Sequence, residues 1–273
     1  GECISQIATH SYFFQSDNYE LPILSVSMNP EDFSDVHLQQ ARERDGHVEF
    51  FDAGGSVVAS TGAGLRLHGG GGRSGGINTK KAYRLYFRSV YGDTRLREPI
   101  FPDSPVANFD KLVLRANYND SVRSSPIAAY IRDEVIRQVH ADMGALSTHG
   151  TWYNLFVNME YRGVYNIVER MDKEFFAEYF PDEGDDWYVV KAIDEVLDGG
   201  EAARAAWNEL NEWFSTADLS DPTGYAEARG RIDLNSYTSY MIVNTWTQNH
   251  DWPQRNWYAG RPARPGGKWL FLC

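Results

Sequence analysis

The chain has 273 residues, with 38 acidic and 26 basic side chains, a net charge of −12 and 42% hydrophobic residues. That is enough apolar material for one large domain or two small lobes sharing a cleft, and a mean hydropathy of −0.49 with 14% aromatic residues excludes a disordered chain. The acidic balance argues against a broad electrostatic grip on nucleic acid or an anionic membrane, and no apolar run approaches the roughly 18 residues of a membrane-spanning helix.

In chain order, residues 1–20 read as an N-terminal extension, and GECISQIATH lacks the charged head and apolar middle of a secretion signal. Cys3 and Cys273 are the two cysteines, which rules out a disulfide scaffold and a cysteine-based zinc cluster. From 21 to 101 short strands alternate with turns: LPILSVSM, HVEFFDAGG, GLRLHGG and KKAYRLYF, which predicts an antiparallel sheet. Ser124 and Ser125 as caps, Pro126 in the first turn, and Ile127, Ile131, Val135 and Val139 at four-residue spacing predict a helix that runs to Gly144 and carries Glu134. TWYNLFVNM and GVYNIVE predict a hairpin around a turn at 160–163. Helical spacing returns over 201–214, and again from Asp233, read as a helix cap, through Tyr237, Tyr240, Met241 and Asn244 into NHDWPQRN. The closing KWLFLC reads as the body of a strand, and the chain reads as cut short there. The expected fold class is α+β and bilobal, with a β-rich N-lobe over 21–180 that holds an antiparallel sheet and one helix, and a mainly helical, partial C-lobe over 181–273.

The densest motif is HGGGGRSGG, residues 68–76, and three readings fit it. Gly72, Ser74 and Gly76 satisfy a GxSxG elbow and residues 68–71 an HGGG oxyanion loop. In a serine hydrolase those lie on separate connections, whereas here they are fused. A plain glycine-rich hairpin tip is the simplest reading. A phosphate cradle is the third, in which bare backbone N–H groups approach an anion and Ser74 adds a hydroxyl. Lys80 and Lys81, opening the next strand, favour the cradle, because a strand lysine can reach nucleotide phosphates. Alternation lets only one of them do so. Glu134 is the candidate carboxylate to hold that lysine, against the ordinary reading of a solvent-facing helix glutamate. Arg66, Arg73, Arg84 and Arg115 are available to concentrate positive charge around a polyanion.

The second constellation runs from His250 to Asn256. Phosphoryl transfer needs a carboxylate to orient a hydroxyl and accept its proton, and a neutral oxygen ligand for a divalent ion. Asp251 and Asn256, placed after a helix, keep the Asp-to-Asn interval of the HRDxxxxN loop of protein kinases. The alternative is a structural turn in which Asp251 caps and Pro253 stiffens the backbone. No acid follows WLFLC to supply the second metal ligand of a kinase. Glu169 ends an apolar strand, either at a solvent-exposed end or at a hinge or nucleotide contact. His68, His140 and His149 lack the spacing of an HExxH zinc site. Tyr153, Phe156, Tyr161, Tyr165, Trp187 and Trp207 read as core packing, with a sugar-stacking platform as the alternative.

LRLHGGGGRSGGINTKKAYRLYFRSVYG, FDKLVLRANYNDS, IRDEVIRQV, LFVNMEYRGVYNIVERMD and NTWTQNHDWPQRNWYAG followed by GKWLF, in that order, resemble the CotH (spore-coat protein H) family of atypical protein kinases over about 21–273. The resemblance implies a protein-kinase-like bilobal fold, ATP with Mg or Mn as cofactors, and phosphorylation of Ser or Thr on secreted, cell-surface or spore-coat proteins. It implies Asp251 as the catalytic residue, Asn256 beside the metal, Gly72, Ser74 and Lys80 or Lys81 at the phosphates, and Glu134 and Glu169 as further nucleotide-side residues. Four consecutive glycines from Gly69 exceed the family's usual loop, and the family continues past the last strand into a Trp-Asp pair whose Asp binds metal. A catalytically incomplete adhesion or carbohydrate-binding module on the same fold is therefore the alternative. The expected partners are ATP and a protein substrate with Ser or Thr, with no nucleic acid and no membrane span, and the oligomeric state is left open.

Overall fold

The structure, a computed structural model, describes residues 9–13, 20–38, 42–69, 80–117, 120–121, 126–192 and 194–273. The architecture is α+β, with six α-helices among the described residues. Contacts divide the chain into two compact units, Gly1–Tyr130 with Gly150–Glu169, and Ile131–His149 with Arg170–Cys273. The units part at Glu169 and not at 180, because Phe175 and Phe176 belong to the core of the second unit.

The first unit holds β1 (Ile23–Ser27), α1 (Pro30–Leu38), β2 (Arg44–Phe51), β3 (Val57–Leu67), β4 (Tyr83–Tyr86), β5 (Lys111–Arg115), β6 (Gly150–Val157) and β7 (Glu160–Glu169). These strands close into a barrel in the order β1-β2-β3-β4-β5-β7-β6. The expected antiparallel sheet is corrected in one respect: the seam β1–β6 is parallel, with Ile23 opposite Asn154 and Val26 opposite Val157. Alternation drives the closure. Leu24, Val48, Phe50, Leu85, Leu112, Leu114, Leu155 and Ile167 are all fully buried, and closure removes the unpaired edges an open sheet would present. Residues of the expected N-terminal extension pack on this barrel: Ser11 N donates to buried Glu49 at 2.5 Å, and Phe13 stacks edge-on against Phe51 and Phe156. The β6–β7 turn falls at Asn158 and Met159, both at positive φ, and not at 160–163, since Val157 already pairs with Glu160.

The second unit holds α2 (Arg132–Asp142), α3 (Lys173–Tyr179), β8 (Trp187–Lys191), β9 (Glu195–Asp198), α4 (Gly200–Thr216), α5 (Pro222–Arg231), α6 (Leu234–Trp246), β10 (Tyr258–Pro262) and β11 (Leu270–Leu272). Here the expectation of a mainly helical lobe is corrected, because an antiparallel sheet β11-β10-β8-β9 forms its middle layer. One face packs Ala259, Val190, Trp269 and Phe271 against Trp207 and Leu210 of α4 and Tyr240 of α6. The other packs Val189, Trp187 and Leu272 against Phe175 and Phe176 of α3. Gly260 is required there, since a Cβ would come within 2.2 Å of the Phe176 ring. Asp233 caps α6 as expected, accepting from Ser236 N at 2.8 Å.

The helix expected from Pro126 begins instead at Arg132, with Ile131 as a cap that makes no side-chain hydrogen bond. Its apolar stripe faces outward: Ile131 is 49% and Val135 45% exposed, while Arg137 and His140 are buried at 5% and 0%. Arg137 can be buried because Asp133 and Glu134 in the first turn both pair with it.

Candidate active site

In the first unit the glycine-rich motif leaves from the end of β3. Residues 70–79, including Gly72, Arg73 and Ser74, lie outside the described residues, but both flanks are defined. His68 N donates to Ala82 O at 2.8 Å, extending the β3–β4 pairing to the base of the motif. Lys80 and Lys81 precede β4 and do not open it, so strand alternation does not choose between them. Their surroundings do. Lys80 Nζ donates to the Val164 carbonyl and lies 4.5 Å from the ring centroid of Tyr165 and 5.9 Å from that of Tyr130. Gly163, at φ +100°, belongs to the same enclosure, where a Cβ would sit 3.6 Å from Lys80 Cε. Burial lowers the Lys80 ammonium to about 8, because desolvation penalises its charged form. At Lys81 the backbone is engaged, its carbonyl accepting from the Tyr165 hydroxyl at 2.8 Å.

On the outer face of β3 and β4, Arg66 and Arg84 stand directly opposite each other. Leu65, Leu67 and Leu85 take the inner face. Arg84 donates to His68 Nδ1 at 2.8 Å and to the Tyr86 hydroxyl at 2.9 Å. Arg66 has no hydrogen-bond or ion-pair partner among the described residues. Like charges in direct cross-strand register destabilise a sheet, so an anion on this face would relieve the pair. Glu43 is a carboxylate on this face, over Gly64, and it pairs with Arg88 at 3.3 Å. Arg115 stands opposite Asn166 on β5. Glu169, opposite Leu112, is 5% exposed, which corrects the reading of a solvent-exposed strand end.

In the second unit Glu134 sits in the first turn of α2, with Oε2 2.5 Å from Arg137. The loop after α6 is built from buried anchors. Asn244, 2% exposed, donates to Tyr240 O at 2.9 Å and to Cys273 Sγ at 3.3 Å, and accepts from Asn249 Nδ2 at 2.9 Å. Burial pushes the Cys273 thiol up to about 12, so it stays a neutral weak acceptor. The Trp252 indole donates to the Tyr240 hydroxyl, and Trp257 Nε1 donates to Pro253 O at 2.8 Å. Trp257 stacks on Trp207 at 5.5 Å, and Arg255 N closes on Asp251 O at 2.7 Å. The Trp252–Pro253 peptide is cis and Asn256 adopts φ +62°. These anchors leave the Asp251 carboxylate and the Asn256 amide exposed, neither with a side-chain partner among the described residues. A carboxylate so held can accept a proton from an incoming hydroxyl, and an exposed amide oxygen is a neutral hard ligand.

A family model described as CotH kinase protein matches residues 65–273, well over half of the chain. The chain belongs to the CotH kinase family. Among curated proteins none matches. The family match spans both the Lys80 flank and the Asp251 loop, and it begins within β3, so β1, α1 and β2 precede it. Five of the six aromatic residues weighed as a sugar platform are core, between 1 and 7% exposed, and Tyr161 is the exposed one. Sequence reasoning missed the Tyr165 ring at Lys80 and the Tyr240 and Asn244 anchors. The NxxxxN spacing of Asn244 and Asn249 was the available signal for the second of these.

Proposed function

We propose that this CotH family chain is the phosphotransfer domain of an ATP-dependent Ser/Thr protein kinase that uses Mg or Mn and acts on secreted, cell-surface or spore-coat proteins. The observation that carries this reading is the 250–256 loop, where Asp251 and Asn256 project from a backbone pinned by Tyr240, Asn244 and Trp257. Asp251 orients a substrate hydroxyl and accepts its proton as the oxygen bonds to the γ-phosphorus and ADP leaves. Lys80, as a compact cation in a half-dry enclosure, binds phosphate oxygens, and Gly72 and Ser74 add donors. The unmatched charge of Arg66 beside Arg84 supports a polyanion at the base of the same glycine-rich motif. Asn256 would supply one oxygen to a divalent ion, which when bound would neutralise charge on the phosphates. Glu134 and Glu169 complete the proposed set as nucleotide-side carboxylates, with Glu134 steadied by Arg137.

The test has two arms. Mg-ATP at a hundredfold excess over its dissociation constant should stabilise the protein by about 2.7 kcal/mol in a thermal melt. Asp251→Asn should abolish transfer to a Ser-containing protein while keeping that stabilisation. A melt that Mg-ATP leaves unmoved overturns the kinase reading and favours an adhesion or carbohydrate-binding module.

A further inference from the structure

β10 carries an arginine where its pleat calls for an apolar residue. Ala259, on the helix-covered face, is fully buried beside Trp207 and Leu210, and Gly260 points the other way onto Phe176. Arg261 therefore shares the face of Ala259, under α4. It lines a cavity of about 150 Å³ together with Glu209 and Leu210 of α4, Arg231 at the end of α5, and Gly267 and Trp269 of the turn before β11.

The charges around this cavity are unequally paired. Arg231 is matched by Glu227 at 2.8 Å and Glu209 at 3.0 Å, and its guanidinium covers the Trp213 ring at 4.8 Å. Arg261 has no ion-pair or hydrogen-bond partner among the described residues, and its Nε is buried. Glu209, Glu227, Arg231 and Arg261 sum to zero, but both carboxylates are engaged by Arg231, which leaves the Arg261 fork facing the space, and a fork of that geometry is complementary to a carboxylate or a phosphoryl group. The size narrows the ligand. The cavity's 150 Å³ is well under the roughly 300 Å³ at which small-molecule sites begin. There is room for one headgroup and not for a nucleotide. Leu210 and Trp269 offer apolar wall for the stem that carries it. Gly266 and Gly267 also line a neighbouring cavity of about 270 Å³, walled by Phe180, Trp187 and Leu270 and rimmed by Asp233, Lys268 and the paired Glu183 and Arg264. Two adjoining cavities that meet at Gly266 and Gly267, where no side chain divides them, suit an extended chain with successive side chains to place.

We propose that the Arg261 cavity binds one oxyanion, phosphoryl or carboxylate, presented by the side chain of a peptide. This does not depend on the kinase reading, because neither Asp251 nor the glycine-rich motif takes part. The test is calorimetric titration of the full chain with a phosphoserine peptide, its glutamate counterpart and inorganic phosphate, with the part of the tryptophan fluorescence that Trp269→Phe removes as a second readout. At least one peptide should bind saturably and at least tenfold more tightly than inorganic phosphate. Arg261→Gln should weaken it by about ten- to a hundredfold, the range of a hydrogen bond to a charged group. Arg261→Lys, which keeps the charge and loses the fork, should fall between, while Lys80→Met should leave peptide binding intact. The two peptides separate the sources, with the tighter one naming the oxyanion. Absence of saturable peptide binding, inorganic phosphate binding as tightly as the peptides, or undiminished binding to Arg261→Gln overturns the proposal.

Discussion

Lys80 lies over the ring of Tyr165, its ammonium 4.5 Å from the centroid and donating to the Val164 carbonyl. The same ring donates its hydroxyl to the Lys81 carbonyl, so one buried tyrosine holds both the lysine's head and the backbone beside it.

The lowered Lys80 pKa gives nucleotide affinity a pH dependence. The ammonium is charged below about 8, and phosphate binding needs the charged form. Affinity for Mg-ATP should be flat from pH 6.5 to 7.5 and fall above 8, by up to about tenfold per pH unit. Lys80→Met should lower affinity at pH 7 and remove the slope. Calorimetry across this range checks it, and a slope that survives in Lys80→Met places the titrating group elsewhere.

Arg66 opposes Arg84 across the sheet, which predicts opposite effects on stability and binding. Arg66→Gln should raise the melting temperature of the ligand-free protein, since a like-charge cross-strand pair costs roughly 0.2–1 kcal/mol. It should also weaken tripolyphosphate or Mg-ATP binding by about tenfold or more. A variant that melts lower and binds as well as the parent would sink the idea that Arg66 awaits an anion.

His140 is fully buried, neither ring nitrogen has a hydrogen-bond partner among the described residues, and burial lowers its pKa to about 4. The unfolded chain, with an ordinary value near 6.5, takes up the proton first as pH falls. Stability contributed by the neutral ring is thus present above about 6.5 and lost progressively toward 4, to the extent of about 3 kcal/mol. His140→Leu should hold stability at pH 7 and flatten the acid limb of urea-unfolding free energy between pH 6.5 and 4. An unchanged acid limb would refute this.

Tyr240 accepts from the Trp252 indole one residue after Asp251. Tyr240→Phe should cost about 1 kcal/mol of stability by leaving that donor unpaired. If the loop acts as proposed, kcat should fall while KM for ATP stays put, because Asp251 loses its aim and Lys80 does not. Lost stability with kcat and KM both unchanged would argue that Tyr240 serves only the core.

Elements with strong local periodicity were legible in the chain: α4, α6 with its Asp233 cap, the β6–β7 hairpin and the strands of 21–101 all follow from spacing. The β6–β7 turn was read too late because Gly163 drew it, whereas Asn158 and Met159 make a left-handed turn that a methionine does not advertise. The start of α2 was misread for a related reason. Ile127, Ile131 and Val135 look like a buried stripe, yet the buried face belongs to Arg137 and His140, and pairing with Asp133 and Glu134 is invisible until the helix exists. The β1–β6 seam joins residues more than 120 positions apart, which no window of sequence reports. The chemistry-bearing residues, Lys80 in the first unit and Asp251 and Asn256 in the second, could be named from motif spacing. Their supports, Tyr165, Tyr240 and Asn244, could not, since they act through packing.

The parallel seam also fixes an order of assembly. β1 finds its second neighbour only in β6, and β5 finds its second in β7, so the ring stays open by two strands until residue 169 has been made. During synthesis the emerging N-terminal half therefore carries two bare backbone margins past residue 130, through the whole of the Ile131–His149 excursion. A fragment ending at Tyr130 should self-associate through those margins, and supplying residues 150–169 as a separate hairpin should cap both at once.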